Sequence, residues 1–187
     1  MPPKLTFHPA TPARWRDLER LFGERGACGG CWCMTWRLPR AQFSAGQGPA
    51  NKRAFRKIVR SGAQPGVLAY ADGAPVGWCA VAPRREFSFL ERSRVLAPVD
   101  DQPVWSITCL FVAKEWRRRG LSTRLIEAAT RLACRHGAKI VEAYPQDVKA
   151  ILPAPFVWTG ITSAFKKAGF KVAARRSRNR PIMRRRG

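Results

Sequence analysis

In the segment EWRRRGLSTRL, residues 115–125, three arginines stand directly before a glycine. The run VWSITCLFV (104–112) before it is β-branched, aromatic and almost wholly apolar, the pattern of a strand buried on both faces. After it Leu121, Leu125, Ile126, Ala129, Leu132 and Ala133 recur at helical spacing. A strand that runs straight into a helix exposes the helix's first N–H groups, and those donors with the helix dipole suit an anion. Gly120 carries no side chain, so a diphosphate can approach the backbone there. Ser122 adds a hydroxyl donor, and Arg117, Arg118 and Arg119 add charge, which together resembles a phosphate nest. The plainer alternative is a solvated cationic loop. Two other phosphate motifs fail: the dinucleotide fingerprint needs three glycines where one stands, and the triphosphate loop needs Gly-Lys-Ser/Thr, which is absent.

The surrounding elements must position that turn. LTF (5–7) reads as a first strand. Thr11 and Pro12 read as N-cap and first residue of a helix carrying Trp15, Leu18, Leu21 and Phe22, which Gly23 ends. NKRAFRKIVRSG (51–62) is a short amphipathic helix with Asn51 as its cap. VLAYADGAPVGWCAV (67–81) makes two strands around an Asp72-Gly73 turn, and 83–103, rich in charge and proline, reads as a long connection. The helix after Gly120 stops at His136-Gly137, and AKIVEAY (138–144) is the next strand. Strand, helix and strand make the two strands parallel neighbours. Thr159 or Thr162 is the expected cap of a last helix through Phe165, and FKVAARR with PIMRR a final hairpin. The reading is an α/β fold, an α+β sandwich with a mixed central sheet, in one domain over residues 1–187.

FVAKEWRRRGLSTRLIEAA resembles the cofactor motif of the GNAT acyl-CoA N-acyltransferases, Arg/Gln-x-x-Gly-x-Gly/Ala, with Ser122 in place of the usual last small residue. AFKKAGF (164–170) resembles that family's closing motif, usually Tyr-x-x-x-Gly-Phe. The resemblance covers residues 67–175 and implies a sheet splayed between its two parallel strands, with acetyl-CoA in the gap. It implies pantetheine pairing by the backbone of Leu110, Phe111 and Val112, and a pyrophosphate held over Arg117, Arg118, Arg119, Gly120, Leu121, Ser122 and Thr123. It further implies direct attack of a primary amine on the thioester. Phe165 stands where many members carry a tyrosine acid, and it has no proton to give. Glu142, the one carboxylate on the two apolar strands, is the candidate base; a structural ion pair with an arginine is the alternative. Tyr144, two residues on and so on the same face, is the candidate acid, and Ser106 a candidate water relay.

Thirty-five Lys and Arg against twelve Asp and Glu leave a net charge of +23, a field that attracts nucleic acid, acidic membrane or a phosphorylated cofactor. The run RRSRNRPIMRRRG (175–187) carries seven arginines but no recognisable nucleic-acid module. The alternative function is therefore a basic nucleic-acid- or ribosome-binding module on the same fold, catalysis weak or lost. Cys28, Cys31 and Cys33 lack the second pair a zinc site wants, so no metal is expected. Trp32, Trp36 and Trp158 fall in loops and are candidates for an aromatic acceptor wall, against the alternative that they pin those loops. Six cysteines without an export signal predict free thiols in a reducing cytoplasm, no membrane association, and a monomer or homodimer.

Overall fold

In the computed structural model, which describes residues 3–148 and 152–187, seven strands form one mixed sheet. These are β1 (Leu5–Pro9), β2 (Gly66–Ala71), β3 (Ala74–Pro83), β4 (Trp105–Val112), β5 (Ile140–Ala143), β6 (Lys171–Ala174) and β7 (Ile182–Arg186), in the order β1-β2-β3-β4-β5-β7-β6. Neighbours are antiparallel except β4 and β5, the pair joined through the long helix α5 (Leu121–Arg135). Positive φ at Asp72 and Gly73 closes the β2–β3 hairpin, as a two-residue mirror-image turn requires. The C-terminal hairpin enters the sheet with β7 against β5, leaving β6 as the edge.

α5 lies on one face. Its Leu121, Leu125, Ile126, Ala129 and Leu132 meet Val67, Cys79, Ile107 and Val141 in an apolar core, where each fully buried aliphatic side chain stabilises by about 1.5–3 kcal/mol. On the other face α1 (Trp15–Phe22) and α3 (Pro49–Arg60) enclose Trp78, which is wholly buried between Phe22 and Phe55. A third cluster on that face joins Trp36, Phe87, Leu90 and Tyr144. It uses α4 (Ser88–Arg92), which lies inside the segment read as a plain connection; the short α2 (Arg40–Ala45) was equally unannounced.

Three expected caps are placed differently. Thr11 is extended with no side-chain bond, and a 3-10 turn over Pro12–Arg14 precedes α1. α3 begins at Pro49 after Gly48, so Asn51 lies inside it, buried, its amide donating to the carbonyls of Gly30 and Phe43. Its job is to fasten a loop, not to start a helix. α6 (Thr162–Lys167) contains Thr162, whose hydroxyl donates to Gln146 O, while Thr159 accepts from Arg180.

Candidate active site

β4 and β5 pair over only three rungs, the last being Ile107 with Ala143. At that point β4 carries one residue too many: Ala80 faces Cys109 and Val81 faces Ile107, which leaves Thr108 as a bulge. β4 then runs on to Val112, whereas β5 ends at Ala143. The gap between them opens into a cleft of about 1080 Å³ that reaches from the arginine turn to Trp158.

At one end of the cleft Gly120 is the N-cap of α5, left-handed at φ 74 and ψ 2, and no side chain caps the helix. The first-turn N–H groups of a fifteen-residue helix are thus offered to the cleft. A Cβ built on Gly120 meets nothing within 4 Å, so open space lies against that backbone. Arg117, Arg118, Gly120, Leu121 and Ser122 line this end, and Arg118 too has a positive φ. Arg119 instead lies over the Trp116 ring at 5.3 Å, and neither it nor Thr123 lines the cleft. The turn is open, cationic and rich in donors, which fits a diphosphate.

Along the cleft wall, alternation of backbone groups gives the splayed edge to Leu110 and Val112, with Phe111 between them opposite Trp78 on β3. Leu110 N–H donates to Trp158 O at 2.6 Å, and Val112 O accepts from Arg117 Nε at 3.0 Å. Phe111 contributes its ring instead: it lines the cleft and packs edge-on to Phe22.

Glu142 and Tyr144 do share a face, with Ser106 beside them on β4, as the period-two reading expects. All three are wholly buried and none lines the cleft. Tyr144 Oη donates to Glu142 Oε1 at 2.6 Å, accepts from Arg84 Nη1 at 2.8 Å and lies 2.8 Å from Ser106 Oγ. Glu142 also pairs with Arg84 at 3.1 Å and with Arg184 Nε at 2.7 Å. Burial, with the Glu142 charge adding to it, pushes the Tyr144 phenol well above its ordinary range, so it holds its proton. Arg84, the residue that organises this network, carried no sequence signal. It stands in a proline- and charge-rich stretch, and only the fold shows it buried and donating to Leu90 O and Leu96 O. Phe165 is wholly buried against Phe170, in the core beneath the cleft.

The three loop tryptophans separate. Trp158 lines the cleft, with Trp36 edge-on behind it at 5.3 Å. Trp36 is buried and stacks on Phe89, while Trp32 belongs to the other cluster, stacked on Trp15. From the same glycine-rich loop, Ala27 and exposed Cys28 line the cleft. Cys33 is buried, takes the Trp78 indole N–H and lies against Cys109. The terminal arginine run is a hairpin that largely serves its own chain: Arg175 binds Asp147, Arg180 binds Tyr144 O and Thr159, Arg184 binds Glu142 and Asp100, and Arg185 binds Ala168 O. Among the described residues no helix is long and apolar enough to cross a membrane.

No curated protein matches the chain. Similar folds include PaiA N-acetyltransferase from Thermoplasma acidophilum in complex with coenzyme A, at TM-score 0.55 and 14% identity over 98% of this chain and 99% of that one. YncA from Salmonella typhimurium with acetyl-CoA superposes at TM-score 0.57 and 14% identity, covering 97% and 93%. AAC(6')-Ib in complex with paromomycin and acetyl-CoA does so at 0.54 and 14%, covering 98% and 93%. At such identities the likeness is one of fold. The model of the Acetyltransferase (GNAT) family matches residues 32–151, more than half of the sequence and the stretch that holds the bulge, the splay and the arginine turn. The chain belongs to the GNAT family of acetyltransferases.

Proposed function

We propose that the chain, acting as one domain over residues 1–187, transfers the acetyl group of acetyl-CoA to a primary amine by direct attack. One observation carries the reading: a continuous cleft joins an uncapped, arginine-flanked helix start to the point where the parallel strands part. Acetyl-CoA, as substrate, supplies an activated acyl group on a good thiolate leaving group. The chain's part is to hold and orient it. Arg117, Arg118 and the α5 amides suit the diphosphate, and Leu110 N–H is the donor on the splayed edge, free to exchange Trp158 O for an oxygen of the substrate.

The amine must arrive without its proton. An apolar wall favours the neutral form of an amine, because desolvation penalises the ammonium. Leu110, Phe111, Val157 and Trp158 provide such a wall. Glu142 and Tyr144 sit beneath it, bonded to each other and to Arg84, so we assign them to positioning the strands rather than to touching the amine. The C–N bond forms, the C–S bond breaks, coenzyme A leaves as thiolate, and the surplus amine proton passes to water. Calorimetry with acetyl-CoA, followed by coenzyme A release across an amine panel, tests this. Micromolar binding with amine-dependent release is expected; absence of binding overturns it.

A further inference from the structure

The acceptor side of the cleft also restricts which amine is used. Resting on the donor reading above, we propose that the acceptor is an apolar amine bearing an aromatic or aliphatic body and no second cationic group. Polyamines and aminoglycoside-like polycations are then excluded.

The acceptor face is the one opposite α5, because the donor's thioester end lies at the splay and Phe111 points from there toward α1. The cleft lining includes Ala27, Cys28, Phe111, Pro153, Val157 and Trp158. Among the described residues the only charged side chains in its lining are Arg117 and Arg118, at the diphosphate end and of the same sign as an ammonium. None of the twelve carboxylates lines it. Eight have partners elsewhere: Asp17 takes the Tyr70 hydroxyl and Asp72 the Lys4 amide. Glu19 pairs with Lys52, Glu86 with Arg37, Glu91 with Arg84, Asp100 with Arg184, Glu142 with Arg84 and Arg184, and Asp147 with Arg175. Glu24, Asp101, Glu115 and Glu127 stand outside the lining. From residue 148 to the C-terminus the sequence contains no Asp or Glu at all. A polycation entering here would lose water and meet no carboxylate in the lining, and Asp147 in the adjoining cavity is already paired with Arg175, against the repulsion of two guanidiniums. An apolar amine loses little and gains the faces of Trp158 and Phe111. Trp158 is the specificity residue, its ring held edge-on by Trp36.

The test measures coenzyme A release with 2-phenylethylamine, spermidine and paromomycin, with acetyl-CoA affinity followed separately by calorimetry. Phenylethylamine is expected to exceed both polycations in kcat/KM by at least about tenfold, and Trp158→Ala to raise its KM by about tenfold with acetyl-CoA affinity retained. Val157→Glu, which places a carboxylate on the acceptor wall, is expected to raise spermidine turnover and to lower that of phenylethylamine. Spermidine or paromomycin turned over as well as phenylethylamine by the parent overturns the inference, as does acetyl-CoA binding with no turnover of phenylethylamine; in both cases the donor reading stands. Failure to bind acetyl-CoA overturns the donor reading itself, and this inference with it.

Discussion

Replacing Gly120 separates a binding role for the arginine turn from a merely structural one. Gly120 sits at φ 74, where an L residue costs about 1–2 kcal/mol. A Cβ there meets no protein atom within 4 Å, so no collision adds to that cost. For a chain of this length each kcal/mol lowers Tm by about 2–4 °C, and Gly120→Ala and Gly120→Glu should both melt only a few degrees early. Their effects on coenzyme A should differ far more. A carboxylate about 5 Å from a phosphate charge, at an effective dielectric of about 20, repels it by roughly 3 kcal/mol. That is a loss of about a hundredfold in affinity for Gly120→Glu, with Gly120→Ala in between. Calorimetry with coenzyme A reads this directly, and S-acetylpantetheine, which lacks the diphosphate, is the control: its turnover should be nearly the same in parent and variants. A folded Gly120→Glu protein that binds coenzyme A within about threefold of the parent would refute the assignment of the diphosphate to this turn.

Two other outcomes follow from the same geometry. Glu142→Gln removes the buried counter-charge of Arg84 and leaves it only the exposed Glu91, so it should cost about 3 kcal/mol and lower Tm by roughly 6–12 °C, with any loss of kcat equal at all pH values. A loss of kcat confined to neutral pH and recovered at high pH, with Tm unchanged, would restore Glu142 as the base. Exposed Cys28 lines the cleft, so one thiol should react rapidly with a disulfide reagent and be protected by acetyl-CoA. Burial pushes the Cys31 thiol up to about 11; raising a thiol's pKa depletes the reactive thiolate below that value, so its labelling should lag at pH 8 and accelerate toward pH 11. Acetyl-CoA that leaves the fast thiol unprotected would place Cys28 outside the occupied cleft.

The turn and its flanks were legible because their signals are local. A strand, a glycine and an apolar stripe at helical spacing lie within thirty residues, and β4, the Gly120 turn and α5 appear where those residues place them. Alternation put Glu142 and Tyr144 on one face, and they are. What alternation cannot give is what covers a face. Arg84 and Arg184 reach Glu142 from 58 and 42 residues away, and Trp36 closes over Tyr144 from a loop more distant still. The tryptophans show the same limit: Trp32 and Trp36 are four residues apart yet belong to different clusters, because positive φ at Trp32 and Cys33 turns the chain between them. Asn51 and Thr162 have cap chemistry in their side chains but spend it on loop carbonyls, a choice made by tertiary contacts.

The buried ion network acquires a physical purpose from its position. Removing Glu142, Arg84 and Arg184 from water costs more than their attraction returns unless every group is bonded, so such a cluster is a poor way to gain stability. It sits, however, at the rung Ser106–Glu142, immediately before the last rung of the parallel pair β4–β5. Two strands that part need their final rungs pinned, or the bulge at Thr108 would let the separation creep back along the sheet. Ser106 and Tyr144 tie β4 to the end of β5 through side chains, Arg184 ties β5 to β7, and Arg84 ties the group to α4. The cluster also keeps out of the cleft lining the one carboxylate on β4 and β5, the strands that flank it. A fixed vertex and an acid-free wall therefore have a common origin, and under the proposed reaction an entering amine would meet a rigid apolar surface on which its neutral form is the favoured one.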